Sequence, residues 1–383
     1  MGLERLSQRQ LNRATIARQM LLERVPMTPY HAVRELVGLQ AQTPQSWYLS
    51  LWSRLADFDP VATGRLIEER RLVRIPVMRS TIHLVTDEDA LVLRSFTQPT
   101  IDRSLRGVWA RRLEGIDVAA LVDEVRAFVD EAPRTPTDLI AHLDTRWPGR
   151  DRQTMSNAVR ALVPLVQVPP RGVWRRSGAV KFAALEAWIG REMPASVDPE
   201  PIVLRYLAAF GPASALDAQA WSGLTRLGDV FERLRSRLVT FRDDTGRELF
   251  DLPDAPRPDP DTPAPVRFLA DFDNLLLSHA DRSRFIGEVE RTLFTYVDGP
   301  FPGMLMLDGT AVGQWYLRRD GGVVTAVVRL ARPLSGAEDA AVRSEADAML
   351  RFSVPGADEY ALELAPYPRP GAAARPMVAD KQG

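Results

Sequence analysis

The run RIPVMRSTIHLVT at residues 74–86 decides how the first third of this chain folds. It holds two short segments rich in β-branched and apolar residues, RIPVM and TIHLVT, which predict a pair of strands. Three helices are predicted before it, each opened by a capping residue and a proline, at Thr28-Pro29, Thr43-Pro44 and Asp59-Pro60. Helices followed by a two-stranded hairpin are typical of a winged helix, which we predict over residues 1–115.

The same order of elements recurs twice further along the chain. Helical patterns over 118–162 precede the run PLVQVPPRGVWRRSGAVKF, a predicted hairpin with Arg171-Gly172 at its turn. Helical patterns over 201–238 precede a second hairpin, with Thr245-Gly246 at its turn. Three repeats of one pattern indicate a tandem architecture, and we place the second and third units at 116–190 and 191–253.

The last third of the chain changes character after a proline-rich linker, DAPRPDPDTPAP, at 254–265. Beyond it, β-rich segments are separated by turn signals such as Asp308-Gly309, which predicts a small β-barrel over 266–366. The tail, 367–383, is predicted to be disordered. The fold class is therefore mainly α with β: three tandem winged-helix units followed by a small C-terminal β-barrel.

Composition limits the class of protein. The chain has 383 residues, of which 45% are hydrophobic and 26% charged, enough for several buried cores. It contains no apolar run near the ~18–20 residues that span a bilayer and begins without a signal-peptide pattern. The absence of cysteine excludes disulfides, thiol nucleophiles and Cys-type zinc sites. We expect a soluble cytoplasmic protein with no membrane partner.

The basic residues are almost all arginines, since Lys181 and Lys381 are the only lysines. They cluster locally although the net charge is -1: seven basic residues and one acid lie between Arg150 and Lys181, and five arginines and one acid between Arg94 and Arg112. Such islands fit a face that binds a polyanion. A GC-rich genome accounts equally well for the excess of arginine.

Most standard catalytic motifs are absent, including nucleotide-binding glycine loops and the zinc-protease pattern. The four histidines lie far apart, so we expect no metal site and no cofactor. Asp271 and Asp273 alternate in a segment predicted to be extended and would face the same side. Paired acids can bind a metal or act as a base, but a structural or solvated role is the simpler expectation.

The unusual element is Gln40-Ala41-Gln42, between the second and third predicted helices. In an extended stretch both glutamines point to one side, and the helix N-terminus that follows favours a nearby phosphate. Two glutamines at this spacing also occur by chance in solvated loops.

Four runs, in this order, resemble the bacterial AlkZ/YcaQ-type DNA glycosylases: VGLQAQTPQ, MRSTIHLV, RFLADFDNLLLSHADRSRF and PGMLMLDGTAVGQW. That family has three tandem winged helices and a C-terminal β-barrel, in agreement with the division above. Its catalytic signature is Gln-apolar-Gln in the AlkZ branch and Gln-apolar-Asp in the YcaQ branch. The resemblance therefore implies that Gln40 and Gln42 are catalytic and that the chain is similar to the AlkZ branch, which is associated with self-resistance to DNA-alkylating natural products.

The chemistry suits an already activated substrate. An amide cannot accept a proton at neutral pH, but N7-alkylguanine carries a positive charge and leaves as a neutral base. We expect a monofunctional DNA glycosylase that acts, as a monomer, on bulky or cross-linking N7-alkylguanine in double-stranded DNA. Because no lysine lies near the glutamines, a Schiff-base lyase step is not expected.

Nine further residues receive weaker roles, six of them from the resemblance and three from their place on the predicted second wing. Arg79, Thr81 and His83 match the family's Arg-x-Thr-x-His run, which implies a contact with DNA or the Gln turn, or else a histidine satisfied within the wing. Asp273, Asn274 and Arg282 match the family's barrel motif. This match implies that they either link the barrel to the first unit or contact DNA. Arg171, Arg175 and Arg176 are candidates for phosphate contacts. The alternative is that they form a solvated basic hairpin.

Two other classes of function fit the same residues. A non-catalytic winged-helix transcription factor would bind a specific sequence, usually as a dimer with spaced half-sites. An adduct-binding resistance protein would sequester the lesion without cleaving it. Release of an alkylated base from duplex DNA distinguishes the enzyme from both.

Overall fold

The computed structural model describes residues 3–108, 110–293 and 301–367, and within them the chain forms a mixed α/β fold. The predicted disordered tail lies outside the described residues from 368 onward. No helix in these ranges is long and apolar enough to cross a membrane.

The first segment folds as predicted where local signals decide its helices. Thr28 and Asp59 cap their helices by accepting hydrogen bonds from the amides of His31 and Val61. The third helix begins at Ser46 rather than after Thr43-Pro44, because Gln45 is left-handed with φ 72° and turns the chain first. The helices are α1 (Gln8–Arg18), α2 (Pro29–Glu35), α3 (Ser46–Trp52), α4 (Pro60–Glu68) and α5 (Asp87–Val108). The strands are β1 (Leu39–Gln40), β2 (Leu72–Pro76) and β3 (Ile82–Thr86).

The second segment shares a sheet with the first. Its helices are α6 (Val118–Glu131), α7 (Pro136–Arg146), α8 (Arg152–Leu162) and α9 (Leu185–Ile189), and its strands are β4 (Leu165–Gln167) and β5 (Phe182–Ala184). The sheet has the order β1-β3-β2-β4-β5, and Arg74 pairs with Gln167 across its centre. The predicted boundary at residue 115 therefore divides the chain but not this sheet, because β2 of the first segment pairs with β4 of the second.

The predicted hairpin forms, since β4 and β5 pair antiparallel, and Arg171-Gly172 lie in a turn of the long connection between them, where Gly172 adopts φ 93°. Strands β4 and β5 have only three residues each, and residues 168–181 between them form a loop. Pro169, Pro170 and Gly172 open this stretch. The amide of Val168 bonds across the loop to the carbonyl of Lys181, and the amide of Val173 bonds within it to the carbonyl of Pro170. The basic residues of the second hairpin thus lie on a loop.

The third segment matches its predicted element order. Its helices are α10 (Pro199–Phe210), α11 (Ala215–Ser222) and α12 (Gly228–Leu234), followed by β6 (Val239–Arg242) and β7 (Glu248–Asp251). The two strands pair only with each other, and Gly246 adopts φ 85° in the turn, a conformation that favours glycine. An apolar cluster joins these helices to α5 and to one face of β2 and β3.

The C-terminal strands form an open sheet in the described residues, so the predicted closed barrel is corrected. The elements are β8 (Arg267–Leu269), α13 (Glu288–Leu293), β9 (Gly303–Leu307), β10 (Thr310–Asp320), β11 (Val323–Leu330), α14 (Gly336–Ser353) and β12 (Glu359–Pro366). The order β12-β11-β10-β9-β8 leaves β8 and β12 as edges. Helix α14 connects β11 to β12, which run parallel to each other. The apolar side of α14 packs on one face of the open sheet and buries it.

Two buried ion pairs join distant segments of the chain. Arg54 of the α3–α4 connection bonds both carboxylate oxygens of Asp273 over 2.8 Å each. Arg18 of α1 bonds both oxygens of Asp251 over 2.6 and 2.8 Å. The linker at 254–265 has no helix or strand, as predicted, yet it packs on α1 through the carbonyls of Pro256 and Thr262. These contacts join the first segment to the third segment, to the linker and to the C-terminal part.

Candidate active site

The Gln40-Ala41-Gln42 stretch forms one edge of the first sheet and the turn after it. Leu39 and Ala41 pack in the same apolar cluster, on one side of the strand. Gln40 is 7% exposed and points to the other side, while Gln42 is exposed. The sequence predicts that both glutamines face one side of an extended stretch; in the structure the strand ends at Gln40, and one glutamine is buried while the other is exposed.

Arg79 holds the amide of Gln40. It lies in the single 3₁₀ turn between β2 and β3, Met78–Ser80. Its Nη2 donates to Oε1 of Gln40 over 2.8 Å, and its Nη1 donates to the carbonyl of Trp221 over 2.6 Å. The oxygen of Gln40 is therefore engaged by a cation, and its Nε2 has no acceptor among the described residues.

The backbone at this turn is held in an unfavourable conformation. Arg79 and Ser80 are both left-handed, with φ 56° and 60°, which costs on the order of 1 kcal/mol or more for each non-glycine residue. Gly223, just after α11, permits the close approach, because a Cβ there would lie 3.2 Å from Cα of Arg79. The contacts of the Arg79 side chain offset this cost and fix the turn against the third segment.

The site is electropositive on this side. Burial, with Arg282 nearby, lowers the pKa of Arg79 to about 10, so it remains a cation at neutral pH. Arg282 is exposed, and its side chain has no hydrogen-bond or ion-pair partner in the ranges that the structure describes. Arg282 is thus available to an anion beside the Arg79–Gln40 pair.

His83 and Thr81 support the turn from within. His83 pairs with Gln40 in the strand register and is fully buried. Its Nδ1 donates to the carbonyl of Thr81 over 2.9 Å, and burial next to Arg79 lowers the pKa of His83 to about 3. The Thr81 hydroxyl donates to the carbonyl of Met78. Both residues belong to the hairpin itself, and the burial of His83 does not fit a contact with the DNA backbone.

Arg74 is a residue of the site that sequence reasoning missed. It is 1% exposed, its Nη2 donates to the carbonyl of Ala41 over 3.0 Å, and its guanidinium lies 4.8 Å from the ring centroid of Trp47. Burial, with Arg171 nearby, lowers the pKa of Arg74 to about 10. Counting charges along the sequence does not distinguish buried arginines from exposed ones. The buried Arg74 holds the backbone of Ala41, the residue between the two glutamines.

The predicted alignment of Asp271 and Asp273 is wrong. Phe272 between them is left-handed, with φ 58°, so the segment is not extended and the two carboxylates take different partners. Asp273 is buried against Arg54, and Asn274 donates from Nδ2 to the carbonyl of Gly38 over 3.0 Å. Of the two roles expected for Asp273 and Asn274, this geometry fits the structural link and not a direct contact with DNA.

Asp271 faces the Gln turn instead. It is partly exposed, and its Oδ2 accepts a hydrogen bond from the hydroxyl of Thr43, the residue after Gln42. Burial raises the pKa of Asp271 above its ordinary value, against the opposing effect of the Thr43 and Ser46 hydroxyls. A carboxyl group of the C-terminal part therefore lies beside the turn of the first segment.

The loop at 168–181 docks on the same turn through Gln45. The side chain of Gln45 accepts from the amide of Arg175 over 2.8 Å and donates to the carbonyl of Arg176 over 3.2 Å. Both arginines are exposed, although Arg176 pairs with Glu68. Arg171 is half-buried and donates to the carbonyl of Gly178. The structure thus brings these arginines to the turn that carries the glutamines.

Not every arginine of the two basic clusters lies on the surface. Arg94 is fully buried and donates to the carbonyl of Ala161 over 2.9 Å, so it does not belong to a polyanion-binding face. No three histidine or acidic side chains converge as metal ligands among the residues described. The arrangement offers hydrogen bonds, cations and one carboxyl group, which suits positioning and electrostatic stabilisation of a substrate.

Comparison with known proteins finds a matching family model, a relative in sequence and a solved structure of the same fold. The family model described as DNA glycosylase AlkZ-like matches residues 33–352. An interstrand DNA cross-link repair glycosylase of Streptomyces sahachiroi is 27% identical over 345 residues, covering 83% of this chain and 90% of that protein. The solved structure of the S. sahachiroi DNA glycosylase AlkZ matches with a TM-score of 0.77 at 21% identity, covering 94% of this chain and 100% of that one. The structural match shows a shared fold.

Proposed function

This chain belongs to the AlkZ-like family of DNA glycosylases, and on that premise we propose that it hydrolyses the N-glycosidic bond of N7-alkylguanine in double-stranded DNA. The observation that carries the proposal is the Gln40 and Gln42 pair at an open turn, with the amide of Gln40 oriented by Arg79. In this proposal the three helical segments bind the duplex as winged helices, and the protein acts as a monomer in the cytoplasm.

The residues favour a cationic substrate. Neither amide can protonate a leaving base or accept a proton from water, and the buried His83 has a pKa of about 3. A neutral purine needs an acid to leave, whereas N7-alkylguanine departs neutral once its glycosidic bond breaks. The enzyme must then hold a water near C1′ and stabilise the sugar cation, which positioning and electrostatics can do.

The hydrogen bonds of the turn suggest how the two glutamines divide this work. Since the oxygen of Gln40 is engaged by Arg79, its Nε2 can donate to the attacking water. The oxygen of Gln42 bonds only weakly to the amide of Ile82, at 3.5 Å, and can accept from the same water. Together they orient one lone pair of the water toward C1′.

A second part of the proposal concerns the size of the lesion. The S. sahachiroi relative is named as an interstrand cross-link repair glycosylase, and the alignment covers most of both chains. We extend the substrate to bulky and cross-linking adducts of a DNA-alkylating natural product, removed in self-resistance by base excision. The exposed Gln42, at the mouth of the site, is compatible with an adduct that protrudes from the duplex.

The positive charge near the site supports a DNA backbone that runs past the turn. Arg282 lies beside the Arg79–Gln40 pair, and Arg175 and Arg176 are tied to the turn through Gln45. Phosphate contacts of this kind position a duplex without reading its sequence. We propose these three arginines, with Arg171 behind them, as the DNA-binding residues.

The test is base release from a duplex that carries a single N7-methylguanine. The protein is incubated with this duplex, and heat with alkali then cleaves the strand at abasic sites. We expect release well above the spontaneous rate, no strand cleavage without alkali, and no covalent product on borohydride reduction. The undamaged duplex and heat-inactivated protein are the controls.

Two outcomes would favour the alternatives. Tight binding to the lesion with release only at the spontaneous rate would indicate an adduct-binding protein. Sequence-specific binding to undamaged DNA without release would indicate a transcription factor.

A further inference from the structure

Asp271 is a carboxyl group without a cation. Its partner is the hydroxyl of Thr43, and the Ser46 hydroxyl lies near it. No arginine, lysine or histidine forms an ion pair with it in the described part of the chain, although most other half-buried or buried acids here have one. Burying a carboxylate partly, without a cationic partner, costs free energy. A bound cation would therefore be stabilised at this position.

The position of Asp271 identifies that cation. Its carboxyl group accepts from the hydroxyl of Thr43, the residue that directly follows Gln42. In the proposed reaction a positive charge is present at this place throughout, first on the alkylated guanine and then on the sugar. The substrate itself would therefore supply the missing partner.

The other side chains described at the Gln turn are not free to accept a proton. Gln40 and Gln42 are amides, Arg79 and Arg282 are cations, and His83 is buried with its Nδ1 committed to the Thr81 carbonyl. Asp271 brings a carboxylate to the same turn from another part of the chain.

We propose that Asp271 is a further catalytic residue, whose carboxylate faces the sugar cation and takes the proton of the attacking water; this rests on the proposed glycosylase function. The C1′–N9 bond breaks and its electron pair goes to N9, which neutralises the alkylguanine and leaves the positive charge on the sugar. The water oxygen then bonds to C1′, and one of its protons passes to Oδ of Asp271 and on to solvent. The products are an abasic sugar, a neutral base and one proton.

The first measurement is single-turnover excision of N7-methylguanine with enzyme in excess. Asp271→Asn keeps the size of the side chain and an oxygen that accepts from Thr43, but removes the charge and the proton acceptor. We expect its rate to fall by about 10²-fold, the scale of losing one electrostatic group in an active site. Asp130→Asn, an exposed acid on α6, changes the net charge equally and should keep the wild-type rate.

The second measurement separates charge from structure. Duplexes carrying a protonated 1-aza-2-deoxyribose, a cationic mimic of the sugar intermediate, are compared with duplexes carrying neutral tetrahydrofuran. Asp271→Asn should bind the cationic mimic about tenfold more weakly, as expected for a lost charged hydrogen bond, and the neutral site as tightly as wild type. A merely structural role would weaken both or neither.

The third measurement needs no variant, so it holds even if Asp271→Asn does not fold. Protonation of Asp271 removes its charge, and its pKa lies above the ordinary value, so the excision rate should fall as the pH drops through that raised pKa. The groups that face it are the Thr43 and Ser46 hydroxyls, which do not titrate in this range. The spontaneous rate is subtracted at each pH.

The outcomes are distinguishable. If wild-type protein releases no base, the proposed function fails and this inference with it. If wild type is active while Asp271→Asn excises at the wild-type rate and binds both mimics unchanged, the inference alone is overturned. A wild-type rate that is flat through the acidic range overturns it as well.

Discussion

Arg79 donates a hydrogen bond from Nη2 to Oε1 of Gln40 over 2.8 Å, across the gap between a hairpin turn and the first strand of the chain. The same guanidinium bonds the carbonyl of Trp221 at the end of α11. The first strand and the hairpin turn of the first segment therefore meet the third segment at one arginine. The orientation of the Gln40 amide depends on all of them.

Arg79→Ala should slow excision without weakening the binding of undamaged DNA much. Without the guanidinium the Gln40 amide can rotate, and misplacing a group by about 1 Å can cost about 10²-fold in rate. Arg79→Lys should recover part of the loss, because one ammonium can reach only one of the two oxygens. Single-turnover excision and duplex affinity are measured for all three proteins. Wild-type rates in Arg79→Ala would show that the orientation of Gln40 does not matter.

Asp273→Ala should destabilise the protein strongly. Arg54 and Asp273 are buried to 0% and 1% exposure of their side chains, and removing one partner leaves an uncompensated charge, at a cost of about 3–5 kcal/mol. Asp347→Ala removes an exposed partner of Arg351 and should change stability little. Urea unfolding followed by tryptophan fluorescence compares them. Equal midpoints in the two variants would contradict the structural role assigned to Asp273.

The parts of the fold that follow from local sequence were predictable. Thr28 and Asp59 cap helices, and Gly246 turns a hairpin, because each acts on residues within a few positions of itself. The joining of two hairpins into one sheet was not, since the pairing of Arg74 with Gln167 spans 93 positions and leaves no local pattern.

The candidate site shows the same division. Alternation in a strand predicts that Gln40 faces away from Leu39, whose side chain packs in the apolar cluster, because it depends only on local geometry. The contacts of Arg74 and Asp271 depend on how distant segments pack, and composition gives no sign that one arginine is buried and another exposed. A single left-handed residue, Phe272, was enough to separate Asp271 from Asp273.

The free energy of unfolding should begin to decrease at a higher pH than the titration of carboxylates alone would cause. Burial lowers the folded-state pKa of His83 to about 3 from an ordinary 6.5. Between these values the unfolded chain binds a proton that the folded protein does not, so stability is full above about pH 6.5 and falls as the pH decreases. The slope from this one residue reaches about 1.4 kcal/mol per pH unit.

His83→Asn should reduce that slope between pH 5 and 6.5, where few carboxylates titrate in the unfolded chain. The free energy of unfolding in urea is measured at several pH values for both proteins, each relative to its own value at pH 8. An identical slope in the variant would mean that His83 is protonated in the folded protein.

Binding to undamaged duplex should be weak and salt-dependent. Each phosphate contact contributes about 0.9 to the slope of log affinity against log salt, so replacing Arg175 and Arg176 by alanine should lower the slope by about 1–2. Arg343→Ala removes an exposed arginine that pairs with Asp339 within α14 and serves as the control. An unchanged slope in the double variant would remove the loop at 168–181 from the DNA interface.

The Gln40 and Gln42 variants test the centre of the proposal. Gln40→Ala and Gln42→Ala should each slow excision while leaving stability and DNA affinity nearly unchanged. Loss of a group that stabilises a transition state typically costs about 10²–10³-fold, and here we expect less, because the cationic adduct depurinates slowly by itself. The double variant should lose less than the product of the two single losses, since both amides hold one water.

Gln42→Asp gives the sharper comparison, because a carboxylate stabilises a developing sugar cation better than an amide does. On N7-methylguanine it should match or exceed the wild-type rate, whereas a bulky adduct that fits against an uncharged amide should be excised more slowly. The alanine, aspartate and wild-type proteins are compared in single turnover on both substrates, with folding checked by circular dichroism. Because Gln40 is held by Arg79 and Gln42 bonds only weakly to Ile82, position 42 has the freedom to accept this change. Wild-type rates in both alanine variants would mean that the chemistry lies elsewhere in the protein.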